Sequence, residues 1–236
     1  MFSFQTAGEI RFGRRVSNVA APRAFGFGRR VLLVHGATAA RAEWLAKALR
    51  DVGADVAGFA CGQEPDVALI EAGVEAARAH GAQVVVGLGG GAVIDAGKAM
   101  AALVPATRPM LDHLEVVGRG LPLEADPLPF IALPTTAGTG AEVTKNAVIG
   151  VPEAGRKVSL RDARMLPDVA LVDPGLTDGL PKAVSLASGL DAVTQVIEPY
   201  VSSKATRMTD ALCRAAIAPG LRALRQLVDA GEDAAA

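Results

Sequence analysis

A chain of 236 residues that is 50% hydrophobic can bury a sizeable core, so it reads as globular and not as a disordered segment. Its net charge of -1, with a pI near 6.3, leaves no basic excess for a phosphate backbone or an anionic membrane surface, which removes nucleic acid from the expected partners. Cys61 and Cys213 are far apart, form neither a CxxC pair nor a disulfide framework, and read as reduced thiols.

The opening "MFSFQTAGEIRFG" carries Glu9 and lacks a basic head followed by an unbroken apolar stretch, so it does not resemble a secretory signal. No run approaches membrane-spanning length free of charges, and a cytoplasmic protein with no membrane partner is expected. Arg14-Arg15 and Arg29-Arg30 flank glycine-containing turns and read as solvated charge.

From residue 31 short β-branched runs alternate with helical patterns, which is the signature of βαβ units and a parallel sheet. "VLLV" (31–34) is the first strand. It leads through "HGATAA" to a helix around Arg41 to Val52, with Trp44, Leu45, Ala48 and Leu49 on one side and Gly53 as its C-cap. The strand "ADVAGF", a helix from Val67 to His80 stopped by Gly81, and the strand "VVVGL" (84–88) follow. Continuous apolar strands of this kind are buried on both faces. Later strands are "PFIAL" before Thr135, "NAVIG" near Val148 and "VALVD" near Leu171, with a loop from Gly118 to Pro129. The turns "VPEAGRK" and "RDARMLPD" predict a hairpin or an irregular excursion. After Asp173 two segments show helical spacing with no strand between them, and "GEDAAA" reads as a frayed tail. The expected architecture is α/β, with a Rossmann-like parallel-sheet domain over residues 1–177 and the beginning of an all-helical domain over 178–236.

"VVVGLGGGAVIDAGKAM" runs from a buried strand through Gly89, Gly90 and Gly91 into a helix. Glycines let a backbone approach a phosphate, and a helix N-terminus offers free N–H groups and partial positive charge. The same glycines also suit a turn with no ligand, so both readings stand. Asp95 and Lys98, one turn apart, are either a local ion pair or a pair facing the ligand. In "IALPTTAGTGAEVTKNAVI", Thr135, Thr136 and Thr139 either donate to a ligand or serve as turn and cap residues.

Taken in order, "GLGGGAVIDAGKAMA", "PTTAGTGAEVTKNAVI", "KVSLRDARMLPDVALVDPGLT" and "ASGLDAVTQVIEPYVS" resemble the iron-containing alcohol dehydrogenase family, group III, with its dehydroquinate synthase-like fold. The resemblance implies an NAD(P)-dependent oxidoreductase interconverting an alcohol and an aldehyde or ketone, with the active site in a cleft between a nucleotide domain and a helical domain. It implies that Gly89, Gly90 and Gly91 hold the cofactor diphosphate, with Asp95 beside them. Thr135, Thr136 and Asn146 then line the nucleotide cleft, Lys157 contacts the ribose, Thr177 sits near the nicotinamide, and Asp66 lies near the adenosine. Members preferring NAD often carry an acid after the first strand, where it bonds the ribose hydroxyls and repels a 2'-phosphate. The matching position is Gly36, with Thr38 and Arg41 nearby, so NAD and NADP both remain open.

Members of the family hold Fe2+ or Zn2+ with an aspartate, a histidine four residues later and two histidines farther on. The ion acts as a Lewis acid on the alcohol oxygen. Asp191 matches the aspartate and Gln195 stands in place of the first histidine. His35, His80 and His113 all precede Asp191, so the sequence predicts weak metal binding or none. Pro199 crowds the carbonyl of Gln195, so the helix there is expected to bend. No catalytic residue is assigned. The competing expectations are a maleylacetate reductase-like enzyme and a truncated nucleotide-binding fragment without catalysis. An edge strand near the N-terminus and apolar surface on the helical segments predict self-association, in a homo-oligomer whose substrate is a small alcohol or carbonyl compound.

Overall fold

The computed structural model describes residues 2–229, and the predicted tail "GEDAAA" lies outside them. Among the described residues there are eight strands: β1 (Glu9–Phe12), β2 (Arg30–His35), β3 (Asp55–Ala60), β4 (Val84–Gly89), β5 (Phe130–Pro134), β6 (Asn146–Val151), β7 (Arg156–Arg161) and β8 (Val169–Val172). Six of them form one sheet in the order β1-β8-β5-β4-β2-β3, and every pairing is parallel. β6 and β7 form a separate antiparallel hairpin, turned at Gly155 with φ +59°. The β-branched and leucine runs of β2, β4 and β5 are buried along nearly their whole length, as two-sided burial requires.

The helices are α1 (Ala20–Phe27), α2 (Glu43–Asp51), α3 (Val67–His80), α4 (Gly91–Leu103), the single turn α5 (Met110–His113), α6 (Lys182–Val201) and α7 (Arg207–Asp229). The chain divides into two compact units. One comprises residues 5–135 and 141–174, and the other residues 1–4, 136–140 and 175–236.

In the first unit α1 packs with α2, and α3 packs with α4, so the sheet is covered by paired helices. α3 has the predicted bounds for two local reasons. The Asp66 carboxylate accepts the Leu69 N–H at 2.8 Å, and Gly81 ends the helix in the left-handed region at φ +66°. α2 differs from expectation. A short 3-10 turn over Ala39–Ala42 precedes it and changes the helical phase, so Leu45, Ala46 and Leu49 are buried while Trp44 is 39% exposed. β1 is the edge strand expected near the N-terminus, and β7 completes a hairpin at the turn "VPEAGRK", whereas α1 does not follow from the pattern. β7 reads "RKVSLR", with charged residues at both ends, and buries only Val158 and Leu160.

α4 is the central helix, and from Val93 to Leu103 only Asp95 escapes full burial. Small residues let it lie close to the sheet. A Cβ added at Gly97 would come within 2.6 Å of the Phe130 ring, and one at Gly87 within 3.0 Å of the same ring. The ring therefore occupies space that both glycines vacate.

The Asp162–Arg164 ion pair is one of the contacts that hold the predicted loop from 118 to 129. The Asp162 carboxylate accepts from the Arg164 backbone N–H and guanidinium, and the same guanidinium donates to the Leu123 and Ala125 carbonyls. The Arg164 hydrogen bonds hold the Asp162 carboxyl well below the usual carboxylate range, at about 2. A depressed acid stabilises the fold above its unfolded value and loses that contribution as pH falls through the folded one. Asp162→Asn is therefore expected to melt lower than the parent at pH 6, with the gap closing as acid unfolding is measured from pH 4 to about pH 2.

In the second unit α6 and α7 pack side by side. A Cβ added at Gly189 would meet Leu224 at 2.5 Å, and Val193, Cys213 and Leu224 are buried. Arg214 stacks over Tyr200, 5.4 Å from the ring centroid. Pro199 sits inside α6, in its last turn, and the helix continues to Val201. Leu190, Leu212, Leu221 and Leu227 remain exposed. No described helix is long and apolar enough to cross a membrane.

Candidate functional site

β2 and β4 are neighbours, with His35 opposite Leu88 at their carboxyl ends. From there the chain diverges, because β2 leads out to β3 on one side and β4 leads to β5 on the other. Such a reversal leaves a crevice between the two following loops, which is where open parallel sheets bind ligands. The loops are Gly36 to Thr38 and Gly89 to Gly91.

The second loop is a strand-to-helix turn that presents only backbone. Gly90 is the N-cap of α4 and has no side chain to occupy the orphan N–H groups of the first turn. Those groups, with the helix dipole, suit a phosphate. Gly89 is needed for a different reason, since a Cβ there would lie 2.5 Å from Val93 Cγ2 and 2.6 Å from Val93 Cβ. Thr135, at the end of β5, donates its N–H to the Gly89 carbonyl at 3.0 Å and so lies directly against the turn. The other loop has room, because no atom lies within 4 Å of a Cβ built on Gly36. Thr38 is extended and precedes the 3-10 turn that carries Arg41.

Two residues at this edge were not singled out from sequence. His35 is buried with Nδ1 2.7 Å from the Gly36 carbonyl. Cys61, at the end of β3, donates its N–H to the His35 carbonyl at 2.7 Å and its thiol to the Gln63 carbonyl at 3.3 Å. Burial pushes that thiol up to about 11, so it stays protonated near neutrality. Only their place at strand ends could have marked either residue.

Asp95 and Lys98 do form an ion pair, at 3.1 Å. The lysine side chain is wholly buried and donates to the carbonyls of Ala141 and Asn146 and to Thr144. Asp95 Oδ2 accepts the Val148 N–H at 3.0 Å. Burial is the largest influence on both, lowering the lysine and raising the acid, with each partner opposing the shift of the other. Asn146 opens β6 beside this cluster. Lys157 stands farther along the hairpin and pairs with Glu64 at 3.1 Å. Asp66 bridges to Gly150 and caps α3, so its carboxylate already has a structural use.

Thr136, Thr177, Asp191 and Gln195 belong to the other unit. Thr177 ends a short 3-10 turn, and its carbonyl accepts the Leu180 N–H at 3.2 Å. Asp191 and Gln195 share one face of α6, and the Gln195 amide donates to Asp191 Oδ2 at 2.9 Å. A carboxylate and an amide are two donors, whereas a catalytic divalent ion takes at least three protein ligands. Among the described residues no group of three His, Cys, Asp or Glu comes together for a metal. His80 and His113 turn ring nitrogens to the Asp55 and Leu121 carbonyls. The donor set therefore does not fit a bound iron or zinc ion, whereas the glycine turn and α4 fit a dinucleotide diphosphate.

Comparison with known proteins agrees with this fold. Residues 7–174 match the family model described as iron-containing alcohol dehydrogenase, and residues 185–236 match its C-terminal counterpart. A probable alcohol dehydrogenase of Escherichia coli K12 is 40% identical over 173 residues, covering 73% of this chain and 43% of the relative. Lactaldehyde reductase of the same organism is 36% identical over 175 residues, covering 72% and 45%. The crystal structure of a 1,3-propanediol oxidoreductase superposes with a TM-score of 0.89 at 30% identity, over 97% of this chain and 60% of that one. A sulfoacetaldehyde reductase from Bifidobacterium kashiwanohense, solved with NAD+, gives 0.89 at 27% identity, over 100% and 63%. The chain thus spans less than half the length of the curated relatives it matches.

Proposed function

Because this chain belongs to the iron-containing alcohol dehydrogenase family, we propose that it binds NAD(P) and serves hydride transfer between an alcohol and an aldehyde or ketone. The observation that carries the reading is the glycine turn at the β2/β4 reversal, leading into the N-terminus of α4. In this proposal the N–H groups of Gly90 and Gly91 bond the diphosphate, and Gly89 keeps the turn against α4. Thr135 and Asn146 flank it, Lys157 meets a ribose hydroxyl, and Gly36 and Thr38 border the adenosine ribose. When bound, the nicotinamide supplies the hydride donor or acceptor; the chain's own part is to bind, orient and shield it. β1, an edge strand with Ile10 and Phe12 exposed, supports the proposed self-association.

The two-donor set at Asp191 and Gln195 favours a second reading, in which the chain binds dinucleotide without turnover. Titration of the purified chain with NADH and NADPH tests the shared premise. Assays with simple alcohols, aldehydes and maleylacetate, with Fe2+ or Zn2+ supplied, then separate the readings. Turnover supports the enzyme and rejects the binder. Binding without turnover supports the binder, and no binding of either nucleotide overturns both.

A further inference from the structure

We propose that Lys98 is a positioning residue of the dinucleotide site, holding the segment 141–146 at a fixed distance from the glycine turn; this rests on the reading given above. The Lys98 ammonium lies among five oxygens. These are Ala141 O at 2.8 Å, Thr144 Oγ1 at 3.0 Å, Thr144 O at 3.3 Å, Asn146 O, and Asp95 Oδ1 at 3.1 Å. An ammonium has three hydrogens, so these oxygens share them. Three backbone carbonyls that would otherwise repel one another converge on the charge, as they would on a bound cation.

The arrangement has a direction. Lys98 stands on the helix whose first turn is the proposed diphosphate seat, and it grips the chain where that chain re-enters the larger unit at Ala141. Asp95 extends the grip to the Val148 N–H on β6. Thr135 in turn bonds its N–H to the Gly89 carbonyl. α4 thereby mounts the glycine turn, Thr135 and Asn146 on one support. A surface i,i+3 pair would have served the charges alone, yet here the lysine side chain is 0% exposed. Burial strips the ammonium of water, and the five oxygens replace that water only while the segment stays in place.

The test compares the parent chain with Lys98→Met and Thr144→Val. The second keeps the charge and removes one acceptor. Fluorescence titration with NADH and NADPH gives affinity, and hydrogen exchange over 141–146 gives loop order. The expected result is dinucleotide affinity lowered about tenfold by Lys98→Met and by a smaller factor for Thr144→Val, because bonds to a charged group are lost. Exchange over 141–146 should be faster in both variants and no longer slowed by nucleotide. A mere core staple would lower the melting temperature and leave affinity unchanged well below it, which overturns the proposal. If Lys98→Met does not fold, Thr144→Val decides, and parent-like affinity and exchange in that variant overturn it. Failure of the parent to bind either nucleotide rejects the dinucleotide reading itself, a distinct outcome from equal binding by all three chains.

Discussion

Gly89→Ala is expected to abolish measurable dinucleotide binding and to destabilise the larger unit by about 2–3 kcal/mol, the upper part of the range for overpacking a filled core. The added methyl would lie 2.6 Å from Val93 Cβ and 2.5 Å from Val93 Cγ2. Valine in a helix has one strongly preferred rotamer, and its Cβ cannot rotate away in any case. Relief requires the start of α4 to retreat from the end of β4. That retreat dismantles the turn and strains the bond from Thr135 N–H to the Gly89 carbonyl. Thermal unfolding and NADH titration of the same preparation check both halves. A stable variant with parent-like affinity would show that the turn is not the diphosphate seat.

Gly36→Asp is expected to weaken NADPH about ten- to a hundredfold while changing NADH by no more than about threefold, because a like-charge contact costs a few kcal/mol and each 1.4 kcal/mol is tenfold. The new side chain meets open space, so the fold should tolerate it. Its carboxylate would stand at the end of β2, where it accepts from ribose hydroxyls and repels a 2'-phosphate. Arg41 is exposed on the following 3-10 turn and has no ion-pair partner among the described residues. Arg41→Ala should therefore lower NADPH affinity in the same direction by a smaller factor. Titrations with both nucleotides decide the matter, and an equal loss for each would place the ribose elsewhere.

The strands β2, β4 and β5 were legible because a strand buried on both faces is a nearly unbroken apolar run, which few other elements of that length produce. α3 was legible to its last residue, since Asp66 and Gly81 mark its ends by side-chain acceptance and left-handed backbone. The face of α2 was not, because the preceding 3-10 turn sets a phase that periodicity alone does not contain. β7 carries only two apolar residues, Val158 and Leu160, between charged ends, too short an alternation to mark it alone, and α1 escaped because "AAPRAFGF" holds proline and glycine among its small residues. At the site, the glycine turn was legible as a motif. The engagement of Asp95 with Val148 and of Lys98 with residues 141–146 was not, since both join points more than forty residues apart. Asp95 and Lys98, one turn apart in an otherwise apolar helix, were the available sign.

The pairing of β1 with β8 sets a timetable for biogenesis. Glu9 lies opposite Val169, and the Asp173 carboxylate takes both the N–H and the hydroxyl of Ser17, so the first strand has no sheet neighbour until the eighth exists. At ordinary translation rates that interval is about 10–30 s. During it β2 to β5 can settle their own pairings, and the N-terminal segment has only transient company on the ribosome. Chaperone dependence should therefore concentrate on the first dozen residues, with Phe2, Phe4, Ile10 and Phe12 as the apolar positions left waiting.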